Sequence, residues 1–374
     1  MARPADEFTP EAALAAMLDR VRATAREVGD RFPLYAEPGT GVWTTTRRGS
    51  WTAGYWTGLL WLAAWHSGAV DDRRRAVAWT TRLRERAGDD TVTRAMTFWY
   101  GAAIGHQLCG DETALAVALD GAEPLAASYD ERLGLIPLGT ALGQGLDGTS
   151  ATAIDSVAAV TALLSWASRT ADRPRWLDLA RCNAVRHRDL CLMADGGVRA
   201  TVSLAPEPCG EPSGTHPAGG WSRGQAWGIL AFATAARALR MPEFATAADE
   251  AARYWAKYGA AAVPSWNFAD PNGPRDTSAA AIAAVGLLTL ADADEGAAVD
   301  HHATARRLAS ALVGGHLTGH QGELAVERPA GMLLDGCYDM ASGTATGHEL
   351  IWGDFFLAMA LARLTTPEGR WPGL

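Results

Sequence analysis

The sequence Trp221-Ser-Arg-Gly-Gln-Ala-Trp-Gly-Ile-Leu-Ala-Phe-Ala-Thr-Ala-Ala236 joins a loop to a helix. The residues before it, 212–220, are rich in Pro and Gly, and residues 228–236 form an apolar run. Turn-forming residues followed by a long apolar run are typical of a loop that ends where a buried helix begins. The junction therefore predicts a helix that begins near residue 221 and is apolar on almost every side.

The same kind of helix recurs along the chain, because hydrophobic patterns of period 3.6 dominate and strand patterns are scarce. Charged, amphipathic helices alternate with the apolar ones, and the first of them covers residues 10–28. The apolar starts are about 45 to 72 residues apart, which indicates a degenerate repeat of a helical hairpin. The six apolar helices are predicted to begin near Trp51, Ala95, Ile154, Trp221, Asp276 and His348.

Twelve alternating helices predict a closed architecture. A helix that is apolar all round must be buried, and a helix with one apolar face covers it. We therefore expect an all-α fold, an (α/α)6 six-hairpin toroid with two rings of helices, formed as a single catalytic domain over residues 1–374. An open solenoid is the alternative. The longest loops precede the inner helices, so we expect the functional site on that rim, at their N-terminal turns.

The composition excludes several kinds of partner. The net charge is −9, and the basic residues form no run, so neither nucleic acid nor a membrane is expected as a partner. Fifteen Trp residues favour a carbohydrate ligand modestly, since indole rings stack on sugar rings, although they could equally serve packing. The five cysteines are scattered, and no signal segment or membrane-length apolar stretch is present, so we expect a soluble, cytoplasmic protein with reduced thiols.

The junction at residue 221 also predicts a binding surface. Trp221, Gly224 and Trp227 are three apart and share one helix face, with Arg223 and Gln225 beside them. Flat apolar rings next to a guanidinium suit an acidic sugar, because the ring stacks on Trp and the guanidinium binds the carboxylate. The competing interpretation is that the two Trp side chains are core residues and that Arg223 forms a surface ion pair.

Other residues on the predicted rim could carry chemistry. Asp155 opens the third inner helix among apolar and small neighbours, so desolvation should raise its pKa towards the range of a general acid. It could also be an ordinary first-turn Asp that serves the helix dipole. Asp276 is better explained as a helix cap. His216 and His348 lie on the same rim, and no motif for a metal, a phosphate or a dinucleotide occurs, so we expect no metal and no cofactor.

Seven segments spread over most of the chain have a recognisable pattern. They are Trp51-Thr-Ala-Gly-Tyr-Trp-Thr-Gly-Leu-Leu-Trp-Leu-Ala, Ile154-Asp155, Thr215-His216, Trp221-Ser-Arg-Gly-Gln-Ala-Trp-Gly, Val263-Pro-Ser-Trp-Asn-Phe, Arg275-Asp-Thr-Ser-Ala-Ala-Ala-Ile and Leu350-Ile-Trp-Gly-Asp-Phe-Phe. Together they resemble the unsaturated glucuronyl hydrolases, the bacterial six-hairpin enzymes that remove a 4,5-unsaturated uronic acid from oligosaccharides left by polysaccharide lyases. The segment at residue 221 is the most specific.

The resemblance implies hydration of a vinyl ether: an acid protonates C4, water adds at C5, and the resulting hemiketal opens and expels the aglycone. Asp155 would be the general acid and base, which needs no metal or cofactor. The substrate would be a small or oligosaccharide molecule with an acidic sugar; the oligomeric state is left open. The candidate substrate-binding residues are Arg223, His216, Trp221, Trp227, Gln225, Trp51, Trp56 and Trp352.

The chain departs from the family pattern in three places. Met96 or Thr97 stands where the family carries a second functional Asp, and Ala200 replaces a family His. The loop between His216 and Trp221 is shortened, and Asp147 could compensate for the lost carboxylate. These differences keep two alternatives open: a repurposed barrel enzyme acting on another sugar acid or a glycosylated small natural product, and a non-catalytic sugar-binding protein.

Overall fold

The helices alternate between two layers along the chain. The computed structural model describes residues 9–141, 147–204, 214–215, 220–259, 262–293, 301–319, 328–366 and 371. A π-helical turn, Trp99–Ala103, joins α4 and α5 into one continuous helical element. The helices in the described residues are α1 (Pro10–Glu27), α2 (Ala53–Ser67), α3 (Val70–Arg82), α4 (Arg94–Phe98), α5 (Ile104–Cys109), α6 (Glu112–Ala127), α7 (Val157–Thr170), α8 (Pro174–Cys191), α9 (Ser222–Leu239), α10 (Pro242–Tyr258), α11 (Thr277–Ala293), α12 (His301–His316) and α13 (Ile351–Thr365).

The inner ring consists of α2, α4–α5, α7, α9, α11 and α13, each packed against the next. Helix α13 packs on α2, which closes the ring. The inner helices are buried on all sides; in α11 every residue from Thr277 to Leu290 is buried. The outer helices bury one face each, as α1 does with Leu14, Met17, Leu18 and Val21. The sequence prediction of an (α/α)6 toroid with six inner and six outer helices is therefore confirmed.

The inner helices all begin at one rim, and the described parts of the long segments that precede them carry six short strands. These form two antiparallel three-stranded sheets, with the orders β2-β1-β6 and β3-β4-β5. The sequence patterns predicted few strands. The strands are β1 (Phe32–Ala36), β2 (Trp43–Thr46), β3 (Ala151–Ala153), β4 (Thr201–Ser203), β5 (Gly214–Thr215) and β6 (Glu349–Leu350).

A buried ion pair ties the start of the barrel to its end. Arg20 of α1 donates from Nη2 to Oε2 of Glu349 in β6 over 2.8 Å, and to the carbonyl of Gly41 over 2.7 Å. Both charged side chains are buried. Strand β1 also pairs with β6, with Tyr35 opposite Leu350. The first and last hairpins are thus joined by side-chain and backbone bonds. Within the described part of the chain, no helix combines the length and the apolar character needed to span a membrane.

Glycine residues let α2 approach its inner-ring neighbours closely. A Cβ at Gly54 would lie 2.4 Å from the carbonyl oxygen of Met96, and one at Gly58 would lie 2.5 Å from that of Tyr100. Backbone atoms cannot move aside as the end of a flexible side chain can. The absence of a side chain at Gly54 and Gly58 therefore sets the spacing between α2 and the second inner helix.

We expect Gly54→Ala to destabilise the protein by about 1–3 kcal/mol, because the new methyl group overpacks a contact with backbone. Gly315→Ala is the matched control, since it lies in the outer helix α12 with no atom within 4 Å of its added Cβ. Ala is the better helix former, so the control should be neutral or stabilising by up to about 1 kcal/mol. Thermal and denaturant midpoints measure both variants. Equal midpoints for the two would contradict the packing argument.

Candidate active site

Asp155 lies at the junction between a strand and an inner helix. Strand β3 pairs with β4, and the backbone N–H of Ile154 donates to the carbonyl of Ala200 over 3.0 Å. A single 3-10 turn, Ile154–Ser156, then leads into α7. This arrangement holds Asp155 at the N-terminal end of the inner helix, where its side chain is half-buried. Its Oδ1 accepts a hydrogen bond from the Ser156 hydroxyl over 3.3 Å.

The environment of Asp155 favours its protonated form. Burial raises the pKa of this carboxyl above its ordinary value, while the hydrogen bonds of Ser156 and the charge of Arg223 oppose the rise. The carboxylate acts on its surroundings in turn, since it contributes to raising the pKa of the buried Tyr55 phenol. The desolvation effect expected from the sequence is therefore present. Asp155 can hold a proton at a higher pH than an ordinary aspartate does.

Arg223 lies in the first turn of α9 and is held from several directions. Its Nη1 donates to Oδ2 of Asp276 over 2.6 Å and to the carbonyl of Cys337, and its Nη2 donates to the carbonyl of Tyr338 over 2.8 Å. The guanidinium carbon lies 4.8 Å from the ring centroid of Trp221 and 5.6 Å from that of Trp352. Arg223 is buried and pairs with the buried Asp276. The ion pair therefore forms inside the protein, and the alternative of a surface ion pair is wrong.

Asp276 caps helix α11 and also pairs with Arg223. Its Oδ1 accepts from the backbone N–H and the hydroxyl of Ser278, over 3.2 and 2.6 Å, which caps the start of α11 as predicted. Its Oδ2 accepts from Arg223, and the side chain is fully buried. The pairing with Arg223 was not predicted, because 53 residues separate the two in sequence. Asp276 therefore fixes the guanidinium of Arg223 as well as the helix.

Aromatic side chains from distant segments form one wall around these charges. Trp51 and Trp221 are both half-buried and so keep part of their rings accessible. The ring centroid of Trp51 lies 4.8 Å from that of Trp352, and its Nε1 donates to the Tyr338 hydroxyl over 3.4 Å. Tyr338 was missed by the sequence analysis. The only sequence signal for it was an aromatic residue in the irregular segment before the last inner helix.

Two predicted binding residues, Trp56 and Gln225, point away from the site. Trp56 is fully buried and packs against Trp79 on the outer side of α2, so it does not form a sugar-stacking wall. Gln225 donates to the carbonyls of Gly196 and Ala251 and accepts from the N–H of Val198, which corrects its assignment to substrate. The sequence could not show that these two side chains point away from the barrel axis.

Trp227 and Trp352 are also enclosed, with side chains 2% and 0% exposed. Trp227 packs edge-on against Phe356, with ring centroids 5.3 Å apart, as the core interpretation of the sequence had it. Trp352 instead supports Trp51 and the guanidinium of Arg223 from behind. His216 lies outside the described residues. The structure therefore brings together Asp155, Arg223, Trp51, Trp221 and Trp352 at the N-terminal rim.

Known proteins of similar sequence include unsaturated glucuronyl and unsaturated chondroitin disaccharide hydrolases. No family model matches the chain. The unsaturated glucuronyl hydrolase of Bacillus sp. (strain GL1) is 29% identical over an alignment of 368 positions that covers 92% of this chain and 95% of the relative. The unsaturated chondroitin disaccharide hydrolase of Streptococcus pyogenes serotype M1 is 28% identical over 84% of this chain and 80% of the relative.

Solved structures give the same result. The crystal structure of the unsaturated glucuronyl hydrolase from Bacillus sp. GL1 superposes with a TM-score of 0.85, at 26% identity over 98% of each chain. A structure of UGL with an Asp-to-Asn substitution and dGlcA-Glc-Rha-Glc has the same TM-score, at 27% identity over 97% of each chain. The chain is similar to the unsaturated glucuronyl hydrolases in sequence and in fold over nearly its whole length.

The departure from the family pattern at the second inner helix is visible in the structure. Met96 and Thr97 are completely buried at the start of α4, against Gly54 of α2. No hydrogen-bond partner for the Thr97 hydroxyl is found among the described residues. Asp147 does not supply the missing carboxylate there. It is exposed, and it accepts bonds from its own neighbours Thr149 and Ser150, which lower its pKa.

We expect Asp276→Asn to destabilise the protein by about 2–4 kcal/mol, because it leaves a buried guanidinium without its counter-charge. Asn still accepts the N–H of Ser278, so the cap of α11 is retained. The control is Asp71→Asn, whose partner Arg74 lies at a similar distance, 2.8 Å, on the exposed surface of α3. That change should stay within about 0.5 kcal/mol. Thermal unfolding measures the stability of both variants. An equal loss of stability in the two would contradict the importance of the buried pair between Asp276 and Arg223.

Proposed function

We propose that the protein is a glycoside hydrolase that removes a 4,5-unsaturated uronic acid from a glycoside by hydrating its vinyl ether. One observation carries the proposal: a half-buried carboxyl with a raised pKa, Asp155, on the same rim as the fixed cation Arg223. A sugar-binding protein does not need a desolvated acid. The proposed compartment is the cytoplasm, where the scattered cysteines would stay reduced.

In this reaction Asp155 acts twice. Its protonated carboxyl delivers the proton to C4 of the unsaturated ring, and positive charge develops at C5. A water molecule attacks C5 and returns a proton to the carboxylate, which restores the starting form of Asp155. The hemiketal formed at C5 then opens and expels the aglycone. The reaction therefore consumes one water molecule and no other reactant. The pKa of Asp155 must be high enough for its carboxyl to be protonated at the start.

The rest of the site would bind and orient the sugar. Trp51 and Trp221 keep accessible ring faces, so they are the proposed stacking surfaces. Arg223 contributes a fixed positive charge that favours a uronate carboxylate nearby. Trp352, Tyr338 and Asp276 position these groups through the contacts described above. A substrate contact by His216 is proposed from the family resemblance alone.

A second candidate function follows from the second inner helix. The buried Met96 and Thr97 supply no carboxylate where the family pattern has one. A pocket with one charge fewer could suit a different sugar acid or a glycosylated natural product, with Asp155 still acting as the acid. The first candidate predicts turnover of lyase-generated disaccharides, and the second predicts none of that turnover despite an intact Asp155.

The test follows the ultraviolet absorbance of the conjugated C4=C5 uronate with a panel of unsaturated disaccharides. We expect the wild-type protein to consume the absorbance, and Asp155→Asn to lower kcat by at least about a hundredfold, because the general acid is lost. Binding should be retained in that variant. Asp147→Asn is the control, since this exposed carboxylate accepts its hydrogen bonds from its own turn among the described residues, and its rate should match the wild type. Unchanged turnover in Asp155→Asn would refute the mechanism.

The pH dependence gives a separate prediction for the raised pKa. A general acid works protonated, so activity is present below the pKa of Asp155 and is lost as the pH rises through it. Ser156→Ala removes a hydroxyl that stabilises the carboxylate. In the pH profile of kcat/KM, the alkaline limb of the Ser156→Ala variant should move to higher pH by about half a unit to one unit. Ser150→Ala, which removes the equivalent bond to Asp147, should leave the limb in place. A shift to lower pH in Ser156→Ala would contradict the assignment.

A further inference from the structure

Two left-handed residues stand directly before Trp51, the proposed stacking surface at the rim. Gly49 has a φ of 84° and Ser50 a φ of 47°. Glycine accepts this conformation readily, whereas the Cβ of other residues comes too close to the neighbouring carbonyl. An added Cβ at Gly49 would also lie 2.4 Å from the Cβ of Ala53, so glycine is required there. A left-handed serine persists only where its surroundings hold it in place.

The side chain that holds this turn is Arg86. It lies in the 3-10 turn Leu83–Arg86 after α3, and it is buried. Its Nη1 donates to the carbonyl of Arg48 over 2.7 Å and also to the carbonyl of Ser50. The first carbonyl belongs to the peptide unit before the left-handed pair, and the second to the unit that carries the amide nitrogen of Trp51. One guanidinium nitrogen therefore fixes the peptide planes on both sides of that pair.

Asp89 fixes Arg86 in turn. Its Oδ2 accepts from Nε of Arg86, and its Oδ1 accepts from Nη2 of Arg48 over 2.8 Å. Burial acts to raise the pKa of this carboxyl, but the hydrogen bonds and charges of the two arginines outweigh it and hold the pKa below its ordinary value. Asp89 is therefore ionised at neutral pH. Arg48, Arg86 and Asp89 form one network around the turn, which we call the Arg86 clamp.

Trp51 depends on its backbone for its direction. Its ring is half-buried and rests on Trp352, with centroids 4.8 Å apart, and on Tyr55, with centroids 5.9 Å apart. The hydrogen bond from its Nε1 to the Tyr338 hydroxyl is long, at 3.4 Å. A ring face that receives a ligand has to remain uncovered, so packing supports this ring only from behind. The conformation of the turn before Trp51 thus decides where the open face points.

We propose that the Arg86 clamp positions Trp51 for sugar binding by keeping Ser50 left-handed. Arg86 is a positioning residue, because it is buried and acts through the backbone of Trp51. The inference rests on the proposed function, since it takes Trp51 as the surface on which the sugar stacks. Proton transfer by Asp155 does not involve the clamp. Loss of the clamp should therefore weaken sugar binding and leave the chemical step almost unchanged.

Arg86→Lys tests the clamp. Lysine keeps the positive charge beside Asp89, but its side chain ends one bond short of Nη1 and has no fork that reaches the carboxylate and both carbonyls together. Adding Ser50→Gly to this variant tests the link to the backbone. Glycine adopts a positive φ without steric cost, so it should keep the turn in place after the clamp is weakened. Loss of packing around Arg86 alone would not be repaired by glycine at position 50.

Arg363→Lys is the matched control. Arg363 and Arg86 have the same exposed fraction, 8%. The guanidinium of Arg363 also binds a backbone carbonyl and a carboxylate, those of Val285 and Asp292, but in the last turn of α13, away from the rim. This variant therefore loses a comparable buried network without touching the turn before Trp51.

Hydrogen exchange and kinetics are measured in the wild type and the three variants. Exchange follows the amides of Gly49 and Thr52, which donate hydrogen bonds within the turn over 2.9 and 3.0 Å. In Arg86→Lys we expect both amides to exchange at least about tenfold faster. KM for unsaturated disaccharides should rise about five- to tenfold while kcat stays within about twofold. Ser50→Gly should restore most of both changes, and Arg363→Lys should match the wild type.

The two measurements separate the clamp from the reaction proposed above. The clamp is overturned if Arg86→Lys leaves the exchange or KM unchanged, if Arg363→Lys has the same effects, or if Ser50→Gly restores neither. A wild-type protein that consumes no disaccharide contradicts the proposed reaction, and the exchange rates then decide on the clamp by themselves. If Arg86→Lys does not fold, Asp89→Asn takes its place with the same expected results, because it weakens the hold on the guanidinium and keeps the guanidinium itself.

Discussion

Helices that are apolar on every side cannot be left in contact with water, and this constraint organises the whole protein. Six such helices need an enclosure, and the charged helices between them provide it. Because each inner helix is followed by a short connection and preceded by a long one, all six inner N-termini reach the same rim. The location of the candidate active site is therefore a consequence of burial and chain order before any catalytic residue is considered.

Burial also decides how the charges at the rim behave. Arg223 and Asp276 satisfy one another inside the protein, and the remaining donors of Arg223 are taken by the carbonyls of Cys337 and Tyr338. Asp155 has no ion-pair partner at hydrogen-bond distance among the described residues, and burial raises its pKa. A paired carboxylate and a desolvated one thus coexist on one rim. The first gives a rigid frame, and the second is left available for proton transfer.

A second buried acidic group shows the same principle away from the site. Glu349 pairs with Arg20, and burial together with the charge of Glu349 raises the pKa of Asp354 well above its usual range. This cluster lies on the outer side of α2 and joins the ends of the chain.

The periodicity of the sequence was sufficient for the helices, their alternation and the rim, because burial along a helix depends on local residue pattern. It was also sufficient to single out Asp155 and Arg223, since both stand at the start of a predicted inner helix. The periodicity of the sequence could not predict the direction in which an individual side chain points. Trp56 and Gln225 are close in sequence to Trp51 and Arg223 yet face outwards. Tyr338 reaches Trp51 from 287 residues away. Such contacts arise only when the ring closes, so the tertiary structure alone decided which residues meet.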